Sequence, residues 1–393
     1  MQTLLFDPRP VVLTDSTIRR EPLRPAALRP PGFEEQFDYH TLLFDSFFCG
    51  EHEILVTAPP FFNLSPVVAK MQVRAKPSGE LCRFRIRNLD RHAQIRIAVP
   101  PDTTALILSS DIGRFEIEPQ RNLSDFFAGR RVLFTLSKNN RFEWIQDWVR
   151  YHRDVHGADA VLIYDNQSTD YSAAELLDSL AGISRIVRIC VAAWPFRYGP
   201  QGVVSKRYWD SDFCQYGAWE HARWMFLQRA RSALNSDVDE LVVARDGSSV
   251  FAAAERSLFG VVRYRGHWVH GFHGVTRVPD EHTPIRVVDF EHYLRHQPTK
   301  RWGVVPAYEW TTVCPPKWTV VPRRCPARAQ WAPHRIKGWL GALPVSRLFT
   351  FRHFREIGNH WKYDRSAREM FDGSRYAFDP QMRKSFAAVQ WHL

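Results

Sequence analysis

With 393 residues, 45% hydrophobic and 24% charged, the chain has room for one large α/β domain plus a smaller unit, and its composition argues against disorder outside the termini and against a disulfide-stapled scaffold. The formal charge of +11 favours an anionic partner, but the arginines are scattered and no zinc-finger, homeodomain or RNA-recognition pattern occurs, so nucleic acid is not expected. The six cysteines are widely spaced without a CxxC and read as reduced thiols.

Residues 1–40 carry Pro8, Pro10, Pro22, Pro25, Pro30 and Pro31 with little periodicity, which predicts an extended, partly mobile arm. Over residues 41–128 the pattern turns to period two. In Cys82-Arg83-Phe84-Arg85-Ile86-Arg87 apolar and cationic residues alternate, as in a strand with one face in a core and one in water. Ile54-Leu55-Val56, Val67-Val68, Ile95-Arg96-Ile97 and Leu106-Ile107-Leu108 repeat the signal, so a small β-rich module is expected. On its outer face Arg83, Arg85 and Arg87 would form a cationic ridge suited to an anionic glycan or lipid headgroup.

From residue 129 to 393 the texture is that of a doubly wound α/β domain. Val132-Leu133-Phe134-Thr135-Leu136 is a continuous apolar run, the type buried on both faces of a parallel sheet. Asn140 with Glu143 reads as a capping box, and Phe142, Ile145, Trp148, Val149 and Tyr151 follow at helical spacing. Ala160-Val161-Leu162-Ile163-Tyr164 is a second buried strand, so the three segments make a βαβ unit. A third strand at Ile186-Val187-Arg188-Ile189 and a long helix around 213–232 continue the alternation.

In an open parallel sheet, ligands bind beyond the carboxyl ends of the strands, so Asp165-Asn166-Gln167-Ser168-Thr169-Asp170, directly after the second strand, should face the crevice. An acidic residue there can accept hydrogen bonds from a base or ribose. No GxGxxG opens the first helix and no GxxxxGK[ST] occurs, which excludes dinucleotide-dependent oxidoreductase and P-loop NTPase readings. Asp237-Val238-Asp239-Glu240 places three carboxylates in four residues. If the segment is extended, Asp237 and Asp239 share a face, a costly pairing that a hard cation, Mg²⁺ or Mn²⁺, would relieve while bridging to a diphosphate. His152 and His156 stand at i, i+4 without an evident third zinc ligand and read as structural. His267, His270 and His273, interleaved with Gly266, Gly271 and Gly274, suit a loop over an acceptor, and the candidates for a catalytic base are Asp289, Glu291, Glu309 and these histidines, His270 among them.

The run YDNQSTD followed by DVDEL resembles the GT-A glycosyltransferases, and the wider pattern resembles family 92, the DUF23 group related to family 2. Lys138-Asn139-Asn140-Arg141-Phe142-Glu143-Trp144 with Trp148-Val149-Arg150-Tyr151-His152 is similar to the family's opening signature, and Gln215 and His221 fall on the helix before its DxDE. Lys317 to Pro322 with Trp331-Ala332-Pro333-His334, and His353-Phe354 with Lys362 and Arg365, are similar to its later segments. The likeness covers about residues 131–366. It implies a GT-A fold, doubly wound with a mostly parallel sheet, and contacts to a nucleotide-sugar from Thr135, Lys138, Asp165, Asn166, Asp237 and Lys317. It also implies a divalent cation, Mn²⁺ or Mg²⁺, held by Asp237, Asp239 and His334.

The expected activity is transfer of a sugar, UDP-linked by preference, to a glycan or glycolipid hydroxyl with inversion. The alternatives are a metal-dependent nucleotidyltransferase and a non-catalytic basic glycan-binding protein. No secretory-type leader and no apolar run near the roughly 18 residues of a membrane span is present, so a cytoplasmic location is expected, with at most peripheral contact at an anionic inner membrane face.

Overall fold

The computed structural model describes residues 1–13, 17–200, 208, 210–273, 275–276, 284–301, 305–358 and 370–392. The chain opens with β1 (Gln2–Phe6). A β-rich module follows, comprising β2 (Asp45–Phe48), β3 (Glu53–Ala58), β4 (Gln72–Lys76), β5 (Phe84–Leu89), β6 (His92–Ala98), β7 (Ala105–Ser110) and β8 (Gly113–Ile117). It folds as a four-stranded antiparallel sheet, β2-β3-β6-β5, and a three-stranded one, β8-β7-β4.

The α/β part contains β9 (Arg131–Ser137), α1 (Phe142–His156), β10 (Ala160–Asp165), α2 (Ala173–Ala181), β11 (Arg188–Ala193), α3 (Phe213–His221), β12 (Ser232–Asn235), β13 (Glu240–Ala244), α4 (Val250–Arg256) and β14 (Val261–Val269). It ends with β15 (His292–Leu294), β16 (Cys314–Val320), β17 (Val345–Phe354), β18 (Tyr376–Phe378) and α5 (Pro380–Phe386). These strands and β1 build an 11-stranded mixed sheet in the order β1-β11-β10-β9-β12-β16-β14-β15-β18, with β17 pairing β14 and β13 pairing β17. Only β13, β15 and β16 run against the common direction. The α/β class and the largely parallel sheet expected from the sequence are present.

The continuous apolar strands bury both faces. Leu133, Val161, Ile163, Ile189 and Val191 point to the side covered by Ile145, Trp148 and Val149 of α1 and Leu176 and Leu180 of α2. Val132, Phe134, Leu162, Tyr164 and Cys190 point the other way, against Trp219 and Ala218 of α3 and Phe44, Phe47 and Leu55 of the β-rich module. The module thus has its own core, around Ile54, Val73, Ile95 and Leu106, and also covers one face of the large sheet.

Several local expectations are revised. The proline-rich arm is docked: β1 adds to the sheet in parallel register with β11, since a free sheet edge offers unpaired backbone groups. Arg20 is buried and donates to the carbonyls of Pro60, Asp38 and Thr41, and Arg24 forms a two-point ion pair with Asp210. Val67-Val68 lies in a one-turn helix, Ser65–Ala69, whose Pro66 sits in the first turn where its fixed φ suits a helix start. Asn140 is not a cap; α1 starts from Arg141 without a side-chain cap, while Asn140 donates to Ser137 Oγ at 2.9 Å. The helix predicted around 213–232 is α3 continued by a wider π-type turn at Ala222–Phe226. All six cysteines are free thiols.

Candidate functional site

The order β11-β10-β9-β12 reverses direction of growth between β9 and β12, and a crevice at the carboxyl ends of the strands opens at such a switch point. Ser137 ends β9, Asp165 ends β10 directly beside it, and Asn235-Ser236-Asp237 leaves β12. The antiparallel strands β16 and β13 enter from the same edge, which brings Lys317 and Glu240 in. His353 at the end of β17 lies opposite Glu240, and Trp268 of β14 lies opposite His353.

On the β9–β10 side, Asp165 is 6% exposed and its Oδ1 accepts from Ser168 Oγ. Burial raises its pKa above the ordinary carboxylate value, against the opposing pull of Ser168 and of the Lys138 charge. Asn166 is committed to the fold: its Nδ2 donates to the carbonyls of Trp194 (2.9 Å) and Phe196 (2.7 Å), fixing the loop after β11. Thr135 is fully buried inside β9, two residues short of the edge, with its hydroxyl directed at the Leu136 carbonyl.

On the other side stands an ionic cluster. Lys317 Nζ, 1% exposed, lies 2.8 Å from Asp237 Oδ2 and 3.0 Å from Glu240 Oε2. His353 Nε2 lies 3.0 Å from Asp239 Oδ2, and its Nδ1 is 3.6 Å from Glu240 Oε1. Trp268 packs on the His353 ring at 4.3 Å between centroids. Glu240 is 2% exposed and its pKa is pushed up to about 7, first by burial and then by Asp237 and Asp239, although Lys317 and His353 pull it down. Burial alone would lower the Lys317 pKa, but Asp237 and Glu240 raise it, so the ammonium stays charged. Two carboxylates share that one ammonium, and Glu240, the more buried, carries the remaining charging penalty.

Lys317, for which the resemblance implies a contact to the nucleotide-sugar, is here paired with the protein's own carboxylates. Asp237 and Asp239 do not form a simple extended pair: Asp237 N donates to Glu240 Oε2 within a tight turn, which directs Asp237 to Lys317 and Asp239 to His353. Both carboxylates remain partly open, with side chains 31% and 21% exposed. Asn235 Nδ2 donates to Pro333 O at 2.7 Å and pins the turn of a short hairpin, Gln330–Ala332 with Arg335–Lys337, against the end of β12. His334 sits exposed in that turn. Among the described residues no group of three or more His, Cys, Asp or Glu side chains is arranged to hold a metal ion.

The remaining candidates are dispersed. Asp289 Oδ2 accepts from Arg286 N within its own turn, and Glu291 is half-exposed, 3.8 Å from Arg383 of α5. Glu309 is exposed. His270 is 6% exposed, just past β14, with its ring 5.2 Å from Tyr376 and Arg355 Nη1 3.4 Å from its Nδ1. His267 is inside β14, stacked on His296 at 3.9 Å, and so belongs to no loop. His152 and His156 are buried in α1, bonded to the carbonyls of Trp148 and Val242, and held neutral by burial, with pKa values lowered to about 3 and about 4. Gln215 accepts from the Tyr198 hydroxyl at 2.8 Å. Gly274, Lys362 and Arg365 lie outside the described residues. The His353 contact to Asp239 joins residues 114 apart in the chain, and only pairing of β13 with β17 creates it.

No protein-family model matches the chain, and no curated protein matches it. Among the described residues no helix is long and apolar enough to cross a membrane.

Proposed function

We propose that the chain is a metal-dependent glycosyltransferase of the GT-A kind, akin to family 92, which moves a sugar from a nucleotide-sugar, UDP-linked by preference, to a glycan or glycolipid hydroxyl. The observation that carries this reading is the gathering, at one switch point of the mixed, mostly parallel sheet, of a buried acid suited to a nucleoside (Asp165) and a partly open acidic pair suited to a cation (Asp237 and Asp239).

The donor set fits Mn²⁺ or Mg²⁺, which are commonly bound through one or two carboxylates with substrate phosphates and water completing the shell. Asp237 and Asp239 would hold the ion, which when bound would stabilise the negative charge on the departing diphosphate. His353 orients Asp239, and Lys317 limits the repulsion between Asp237 and Glu240. Asp165 receives the nucleoside. Direct displacement requires a base for the acceptor proton, and of the candidates His270 stands past the carboxyl end of β14, two residues from Trp268, while Asp289 and Glu291 are engaged in a turn and an ion pair.

The test is a screen of nucleotide-sugars with Mn²⁺. The expected outcome is slow release of free nucleoside diphosphate, abolished reversibly by EDTA and abolished in Asp239→Ala with an unchanged circular-dichroism spectrum. Pyrophosphate as the product would make the chain a nucleotidyltransferase, and full activity of Asp239→Ala in chelator would remove the metal role.

A further inference from the structure

An open cavity of about 750 Å³ lies beside the start of β5, lined by residues from both sheets of the β-rich module. Its walls include Met71, Val73, Leu81, Phe84 and Ala98, so much of the lining is aliphatic or aromatic, and Leu81 stands 54% exposed at the lip. The polar part is strongly one-signed. Arg83, Arg85 and Arg96 line it with Glu53 as the sole acid, three positive charges against one negative.

The three arginines are not equivalent. Arg96 is neutralised by Glu53 and stacks over the Trp224 ring at 4.5 Å. Arg87, which the sequence placed on the same ridge, is turned away and donates to the carbonyls of Ala327 and Arg328. Arg83 and Arg85 are exposed, and among the described residues their side chains make no ion pair and no hydrogen bond. Two uncompensated guanidinium groups beside an apolar wall match a ligand that is anionic at one end and aliphatic at the other. Guanidinium groups engage phosphate oxygens through paired N–H donors, and the aliphatic wall removes a chain from water. The volume lies within the range of small-molecule sites.

We propose that this cavity binds one molecule of an anionic amphiphile, a phosphate-headed alkyl or isoprenyl chain, with Arg83 and Arg85 on the head and Met71, Leu81 and Phe84 along the chain. The inference does not rest on the glycosyltransferase reading, because none of these residues belongs to the carboxyl-edge site.

Titration calorimetry with dodecyl phosphate below its micellar concentration tests it, with inorganic phosphate and dodecyl maltoside as the two partial probes. Dodecyl phosphate is expected to bind one per chain, at least tenfold more tightly than either partial probe, and the double variant Arg83→Gln/Arg85→Gln is expected to weaken it at least tenfold with an unchanged unfolding midpoint. Leu81→Asp, which puts a carboxylate on the exposed lip, is expected to weaken it as well. Equal binding by parent and double variant, or dodecyl maltoside or inorganic phosphate binding as tightly as dodecyl phosphate, would overturn the proposal.

Discussion

Lys317→Met removes the ammonium from between Asp237 and Glu240 while keeping a long apolar stem in a site that is 1% exposed. At separations of 2.8 and 3.0 Å and an effective dielectric constant near 20, each attraction is about 5–6 kcal/mol before desolvation is subtracted. Breaking a buried ionic group by deleting one partner usually costs about 3–5 kcal/mol, because the orphaned charge stays behind. The loss should depend on pH. Glu240 titrates at about 7 in the folded chain, above its ordinary 4.5, so the folded chain holds a proton there that the unfolded chain has released, and stability falls as pH rises through that window. At pH 8 Glu240 is mostly ionised in the parent, and the variant is expected to lose the full ~3–5 kcal/mol. At pH 6 Glu240 is already protonated, only Asp237 loses the ammonium's attraction, and the loss should fall below the ~3–5 kcal/mol expected at pH 8. Urea unfolding at the two pH values reads this directly as a shift in midpoint at constant slope. An equal loss at both pH values, or a loss below about 1 kcal/mol at pH 8, would refute the assignment of Lys317 as counter-ion to both acids.

Asp165→Ala should raise the donor KM more than the acceptor KM; an unchanged donor KM with a raised acceptor KM would reverse the assignment of the two sides of the crevice. In the parent, donor binding should weaken as pH falls through the burial-raised pKa of Asp165, since protonation turns an acceptor oxygen into a donor, and a flat profile would count against that contact. His353→Ala removes the partner that orients Asp239 and should lower Mn²⁺ affinity on the order of 10- to 100-fold, measured by Mn²⁺ titration of turnover, whereas a purely structural role would leave that affinity unchanged. Gly217→Ala should destabilise by roughly 1–3 kcal/mol, read by thermal or urea unfolding, because a Cβ at that position would lie 2.4 Å from the Phe44 ring in the core.

What the sequence made legible follows from locality. β9, α1 and β10 are each written in a contiguous stretch, as a doubly buried apolar run or a helical stripe, and all three are present within a few residues of their expected bounds. The parts that went unread depend on partners far along the chain. β1 is a strand because β11, some 180 residues away, offers an edge, and nothing within the proline-rich arm encodes that edge. Lys317 announces a positive charge but not which anion it meets; the antiparallel entry of β16 sets it on Asp237 and Glu240. The period-two pattern at residues 82–87 placed its arginines on the outer side of a strand, yet only the packing of the 327–328 segment on β5 separates Arg87 from Arg83 and Arg85.

The β-rich module was legible as a unit but not in its relation to the site. Among the contacts that join it to the α/β part, three bear on the crevice. Phe44 rests on Gly217 of α3, where an added Cβ would lie 2.4 Å from the ring. Glu220 accepts from Gln94 of β6 at 2.8 Å while its other oxygen accepts from the Trp331 amide, so one buried carboxylate holds both β6 and the hairpin whose turn is pinned to the end of β12. Asp45 of β2 holds His221 Nε2 at 2.9 Å, and His221 Nδ1 meets the Tyr164 hydroxyl at 2.7 Å, one residue before Asp165. All three members of that chain are buried, so it is closed to substrate and acts on position alone. Because buried polar chains tolerate few alternative arrangements, a shift of the module against α3 would be felt at the carboxyl end of β10, where Asp165 stands. The module is thus part of the scaffold that sets one wall of the crevice.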